Sequence, residues 1–345
     1  MPRDRVRVLV YTQVLRDYIK VGLADLGLED ICMTFDKWVS DELAAAGLGW
    51  PRGKDPFARA HERLLQHLRS HPGRKRWDAL LVDEGQDLDA DSIEILRLSA
   101  EHVTLALDSR QRLYDTGSSE SEACGALGLK RPNAMLLSAY RCTPAIVRVG
   151  AEFLPSDDLR HQFRRANLMP ISQHETPVIM RFKTLDDELD VMAPALQERA
   201  FANQTSAVLV TNKNRVAQVA RGLEDRGIEV RTHEDHDPDL SKPLVVTYHS
   251  AKGLTVDSVF LARVTGTAFK NIDDERARRM LFVGITRATH WVWIGTIDPM
   301  PKLLDGLQPL IAEGIIKDAT GVVQRPKIPA YSSPPPDHDD LLDLL

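Results

Sequence analysis

The most chemically suggestive string in the chain is Leu80-Leu81-Val82-Asp83-Glu84-Gly85-Gln86-Asp87. An apolar strand ending in adjacent carboxylates puts them at the C-terminal edge of a sheet, where parallel α/β proteins bind ligands. In nucleotide hydrolases the first such carboxylate, here Asp83, holds Mg²⁺, and the next, Glu84, orients or deprotonates the attacking water. A bare Asp-Glu pair also fits an acidic helix start favoured by the helix dipole. Further along stand a second acid with a nearby amide, Asp108 and Gln111, and two arginines, Arg141 and Arg287, which surface helix caps would also explain. A guanidinium supplies fixed, forked donors that neutralise charge on a transferring phosphoryl group.

These residues need a frame. Short β-branched or Leu-rich runs predict buried parallel strands at 6–11, 79–82, 103–107, 135–137, 207–210, 244–247, 259–261 and 291–295. Helical patterns fall between them at 15–26, 57–69, 92–98, 143–153 and 216–226. The alternation predicts an α/β fold with right-handed crossovers. At 345 residues two domains are expected, with a boundary near Lys130–Asn133. They are 1–130 and 131–320, followed by 321–345, a Pro-rich, acidic, Leu-ended tail whose composition predicts disorder.

In order along the chain, the motifs resemble those of UvrD/Rep-type superfamily 1 DNA helicases, in a compact form without large accessory insertions. Asp83-Glu84-Gly85-Gln86-Asp87 is the motif II form, and Leu107-Asp108-Ser109-Arg110-Gln111-Arg112-Leu113-Tyr114 is similar to motif III. Ser138-Ala139-Tyr140-Arg141-Cys142-Thr143 resembles motif IV, and Val246-Thr247-Tyr248-His249-Ser250-Ala251-Lys252-Gly253-Leu254 motif V. Arg279-Met280-Leu281-Phe282-Val283-Gly284-Ile285-Thr286-Arg287-Ala288 closely resembles motif VI. Near the start, Val8–Thr12 and Met33-Thr34-Phe35 look like motifs Ia and Ib. The resemblance implies two RecA-like, P-loop NTPase-type domains with ATP and Mg²⁺ between them. It assigns catalysis to Glu84, Gln111, Arg141 and Arg287, the metal to Asp83, and nucleotide contacts to Asp83, Gln86, Asp108 and Gly253. Single-stranded DNA, tracked 3′ to 5′, falls to Thr12, Thr34, Tyr114 and His249, through phosphate-gripping hydroxyls and base stacking.

One element of the family pattern is missing: no Gly-x-x-x-x-Gly-Lys-Ser/Thr occurs in the sequence, so the backbone cradle and phosphate lysine are absent. The resemblance implies a first domain truncated at its N-terminus, with the lost strand expected beside the one bearing Asp83. Three or four buried side chains at roughly 1.5–3 kcal/mol each would consume most of a domain's stability of about 5–15 kcal/mol. The expected activity is therefore that of a truncated or split helicase or single-strand translocase, weakly active alone. The alternative is a non-catalytic nucleic-acid-binding or scaffold subunit whose protein partner supplies the P-loop strand; a partner could also bind the acidic tail. Leu107 in place of the motif III glycine, Thr116 where relatives carry a stacking tryptophan, and Thr255 after Gly253-Leu254 are smaller departures.

Composition narrows the setting. The chain is 43% apolar and 27% charged with a net charge of −6, so any nucleic-acid site must rest on local rather than overall charge. Basic clusters at 160–165 and 275–279 are candidates, though solvated helix faces read the same way. The sparse cysteines Cys32, Cys124 and Cys142 predict a reduced, cytoplasmic protein with buried thiols. No apolar run reaches the roughly 18–20 residues that span a bilayer, so no membrane is expected.

Overall fold

A computed structural model describes residues 3–73, 75–111, 117–134, 141–166, 175–232, 234–235 and 241–321. Tyr114, Thr116, the strand predicted at 135–137 and the tail lie outside the described residues.

The first half builds a sheet from β1 (Val6–Val10), β2 (Cys32–Thr34), β3 (Trp77–Val82) and β4 (Ala100–Leu105). All pairs are parallel, in the order β2-β1-β3-β4. Its helices are α1 (Gln13–Ala24), α2 (Phe35–Ala45), α3 (Pro56–Ser70), α4 (Ala90–Ser99) and α5 (Glu120–Leu127). Local chemistry starts each where it is needed. The Thr12 and Thr34 hydroxyls cap α1 and α2, and Ser119 with Glu122 forms a capping box on α5. Alternation divides β1 between two faces: Leu9 joins the core under α2, α3 and α4, while Val10 joins Leu15 of α1 on the other side.

The second half runs through α6 (Pro144–Ala151), α7 (Asp157–Ala166), β5 (Val178–Arg181), α8 (Leu185–Phe201), β6 (Ser206–Val210) and α9 (Lys213–Glu224). It continues with β7 (Arg231–Thr232), β8 (Leu244–Thr247), β9 (Val256–Leu261), α10 (Asp274–Ile285), β10 (Ala288–Thr296), α11 (Gln308–Ala312) and β11 (Lys317–Asp318). Its seven strands are again all parallel, ordered β11-β5-β10-β9-β6-β8-β7. Alternate residues of β6 enter separate cores: Ala207 and Leu209 meet α6 and α10, and Val208 and Val210 meet α8 and α9. The first unit's core extends to Ala123, with Leu127 packed against it, and the second begins at Cys142. This is the α/β, parallel-sheet fold that the strand and helix spacing predicted.

The expected position of a further strand beside β3 is overturned. β3 hydrogen-bonds to β1 on one side and β4 on the other, so both of its edges are filled. Among the described residues the first sheet ends instead at β4 and β2. Cys32 and Cys142 are buried, Cys124 is half-buried, and all three thiols are free. No helix among the described residues is long and apolar enough to cross a membrane.

Candidate functional site

The carboxylate string sits where β3 leaves the sheet. Asp83 N–H still donates to Leu9 O at 3.0 Å, and Gly85 N–H to Ala106 O at 2.8 Å, so the turn is held by both neighbouring strands. Gly85 is required by that approach: a Cβ there would lie 2.3 Å from Leu105 Cδ1 and 2.6 Å from its Cγ. Glu84 adopts φ 57°, ψ 37°, left-handed backbone that costs a non-glycine residue of order 1–3 kcal/mol and is typical of functional sites.

Side chains then tie this turn to the next loop. Gln86 is buried; its Nε2 donates to Glu84 Oε2 and its Oε1 accepts from Asp108 N–H at 3.0 Å. Asp108 in turn accepts from Arg110 Nε at 2.8 Å and Gln111 Nε2 at 3.0 Å. Burial works against ionisation of Asp108, but the hydrogen bonds and charge of Arg110 outweigh it and hold its carboxyl below the usual range. Asp83 behaves oppositely. Desolvation and then repulsion from Glu84 raise its pKa, against the pull of a backbone N–H and of Arg141 and Arg287.

The second unit closes on this acid cluster with two cations. Arg287 follows the C-terminus of α10 and is buried; its Nε donates to Val283 O at 2.9 Å, and its Nη2 reaches across to Gln111 Oε1. A cation at a helix C-terminus is favoured by the dipole. Burial lowers Arg287 to about 10, so it remains protonated at neutral pH. Lys252 is the second. Its Nζ lies 2.6 Å from Asp87 Oδ2 and 3.5 Å from Glu84 Oε2, with both Lys252 and Asp87 buried. Lys252 and Asp87 stand inside the strings quoted above, yet sequence reasoning gave neither a role. Their spacing of 165 residues offers no local signal that they pair.

The remaining candidates are placed as follows. Arg141 is exposed just before α6, near enough to influence Asp83 and Arg287 electrostatically. Gly253, at φ 80°, approaches Leu15 of α1; a Cβ there would lie 2.4 Å from Leu15 Cδ2, so its glycine serves the contact between units. His249 Nε2 lies 3.3 Å from Arg276 Nη2. Burial, then Arg276 and Lys252, push its pKa down to about 4, so the ring is neutral at physiological pH. Thr12 and Thr34 accept N–H groups from Leu15 at 3.1 Å and Lys37 at 3.3 Å, which leaves each hydroxyl hydrogen to donate.

Fold and seam together define a two-unit parallel α/β protein whose ends of β3 and β4 face cations from the second unit. A family model, the UvrD-like helicase C-terminal domain, matches residues 244–294, the stretch from β8 into β10 that carries Lys252 and Arg287. No curated protein matches the chain. Similar solved structures include the C-terminal domain of a possible DNA helicase from Lactobacillus plantarum WCFS1, 19% identical with a TM-score of 0.39. That likeness covers 52% of this chain and 98% of that one. S. cerevisiae Dbp5 bound to RNA and ADP BeF3 is 14% identical with a TM-score of 0.49, covering 93% of this chain and 79% of that one. At such scores these two structures add nothing to what the strand order establishes.

Proposed function

We propose that the chain is the core of a UvrD-like, ATP-dependent motor acting on single-stranded DNA as a translocase or helicase. On this reading the phosphate-binding loop is supplied by residues other than the 345 in hand. The observation that carries the reading is the seam: Glu84, Asp87 and Gln111 of one unit are met by Lys252 and Arg287 of the other. A phosphoryl group bound there would lie between an acid pair and cations whose separation changes as the units move, which is how hydrolysis couples to motion.

The residues fit the cofactors in part. A divalent cation beside Asp83 would relieve the desolvation and the Glu84 repulsion that raise its pKa. Among the described residues no cluster of three or more His, Cys, Asp or Glu side chains is arranged to hold a metal alone, so Mg²⁺ would draw its other ligands from phosphate and water. ATP with Mg²⁺ supplies the transferable phosphoryl group. Glu84 would orient water, Gln111 would relay the state of that site to the seam, and Arg287 with Arg141 would neutralise developing charge. Gln86 and Asp108, with their hydrogen bonds already made inside the protein, would hold Glu84 and Gln111 in place. Thr12, Thr34 and His249 would grip the strand, with Tyr114 assigned by sequence alone. A cytoplasmic site of action suits the three free thiols.

A second reading, a nucleic-acid-binding subunit completed by a protein partner, is favoured by one observation: β4 carries no strand on its outer side among the described residues. The deciding experiment measures single-strand binding and strand-stimulated ATP hydrolysis by the purified chain, with Glu84→Gln as control. Salt-sensitive strand binding without turnover is the expected result and supports a core that lacks its phosphate loop. Stimulated turnover lost in Glu84→Gln would support the motor and remove the need for an outside loop. Neither binding nor turnover would sink the motor reading.

A further inference from the structure

At the N-terminal end of β3, the end opposite the seam, the loop that follows α3 encloses a cavity of about 270 Å³ with α2, α3 and α4. Leu68 and Leu98 give it an apolar side, half-buried against the first unit's core, and His71, Lys75 and Arg76 give it a basic rim. The volume falls just below the roughly 300–1,000 Å³ of clefts that take whole small molecules. It suits a few side chains of a peptide.

The rim is held in place and its charge is in excess. Arg5 donates from Nη2 to Lys75 O and from Nε to Arg76 O, each at 3.2 Å, which fixes the loop. Glu42, buried in the cavity wall, is already engaged: its Oε1 accepts from Trp77 Nε1 at 3.1 Å and lies 3.1 Å from Arg76 Nη1. Nearby, Asp78 pairs with Arg5, and Glu94 with Arg69 and Arg97. Lys75 has no carboxylate partner among the described residues. His67 and Arg69 already occupy the last turn of α3, so the helix dipole does not call for Lys75 and Arg76 as well.

The sequence holds a segment of the opposite sign. Residues 337–345 read Asp-His-Asp-Asp-Leu-Leu-Asp-Leu-Leu, with no lysine or arginine to offset the acids, and lie outside the described residues. We infer that this segment docks in the cavity of its own chain, leucines against Leu68 and Leu98 and aspartates against Lys75 and Arg76. Residues 322–336 tether it to the last described residue, and at roughly 3.3 Å per residue they reach about 50 Å. A folded chain of 345 residues has a radius of gyration of about 20 Å, so either unit lies within reach. The docking is independent of the motor reading, since neither ATP nor a strand enters it.

The test is amide hydrogen exchange on the full chain, read by mass spectrometry, with zero-length carbodiimide cross-linking of amines to carboxylates. A short tether gives an effective concentration of about 1 mM, so a contact with a Kd of about 100 µM in isolation holds the segment docked about ten to one. Amides of 337–345 should then exchange about 10-fold more slowly than in a free peptide of that sequence, and cross-links should join Lys75 to an aspartate of the segment. Lys75→Glu should return exchange to the peptide's rate, as should Leu341→Ala with Leu342→Ala from the other side. Lys75→Arg should keep the protection while losing the cross-link. Urea midpoints check that the variants fold, and the leucine variants lie outside the described fold, so they test the docking even if Lys75→Glu is destabilised. Wild-type exchange at the peptide's rate refutes the docking. Protection that persists in Lys75→Glu, or cross-links only to other lysines, puts the segment on a different surface and refutes the cavity as its site. Protection that appears only as chain concentration rises assigns the contact to a second copy, and the intramolecular docking is again refuted.

Discussion

In the seven-stranded sheet, alternate residues of β6, β9 and β10 enter two cores, one on each face. In the four-stranded sheet the face holding α1 is covered only around Val10, Leu15 and Cys32, and Leu81 in the middle of β3 is left 41% exposed. Parallel sheets are ordinarily buried on both faces. The second unit thus closes on itself, whereas the first leans on its neighbour through the Lys252–Asp87 pair and the contact of Gly253 with Leu15. The same seam that brings cations to the acid cluster also packs Gly253 against Leu15 at one end of that face and leaves the rest of it open. Site and stability are therefore coupled in the first unit and separate in the second.

The strongest way to break this comparison is Lys252→Met. It removes the ammonium 2.6 Å from the buried Asp87 carboxylate, and breaking a buried ion pair from one side should cost about 3–5 kcal/mol. Urea denaturation should show the drop, and the double variant with Asp87→Leu should restore much of it by removing the buried charge as well. Amide hydrogen exchange locates the effect: protection should fall in β1–β4 and persist in β6–β10. Loss spread evenly over both sheets would mean that the second unit is no more self-sufficient than the first.

A smaller effect belongs to the second unit alone. Glu188 of α8 is fully buried, with Oε1 accepting Arg263 N–H at 2.8 Å; burial pushes its carboxyl up from 4.5 to about 7 despite Arg263. Between those values the folded chain holds a proton that the unfolded chain has released, so stability falls as pH rises through that window. The full fall is about 3.4 kcal/mol, 2.5 units at 1.36 kcal/mol each, and Glu188→Gln should flatten it. Denaturation midpoints at pH 5 and pH 7.5 check this. A first-sheet exchange pattern that tracks the Glu188 titration would show the units coupled more widely than the seam implies.

These residues mark how far the sequence was legible. Every strand predicted within the described residues formed, because buried parallel strands are short apolar runs bounded by polar ones. The weaker elements were unread: β2 is three residues long, and α8 carries Pro194 in its interior, which breaks the helical pattern. Asp83, Glu84, Gln111 and Arg287 were named from their strings, and the structure brings them to one seam. The Lys252–Asp87 pair was not named, because it joins the two units across a separation that no local spacing encodes. The place of a further strand was misjudged because strand order is a long-range property that motif order does not carry.

The smallest predicted effect isolates the uncovered face. Leu80 and Leu81 are neighbours on β3 with the same side chain, but Leu80 is buried in the core beneath α2 and α4 and Leu81 points to the opposite side. Leu80→Ala should cost about 2–5 kcal/mol, the usual range for emptying a packed leucine site. Leu81→Ala should stay within about 0.5 kcal/mol in the isolated chain, as surface substitutions do. If Leu81→Ala matched Leu80→Ala in urea denaturation, this face would be packed in solution and the contrast between the two sheets would disappear. A near-zero value would show that a leucine is being kept on an open face of a parallel sheet, beside an edge strand, for contact with something other than the residues described.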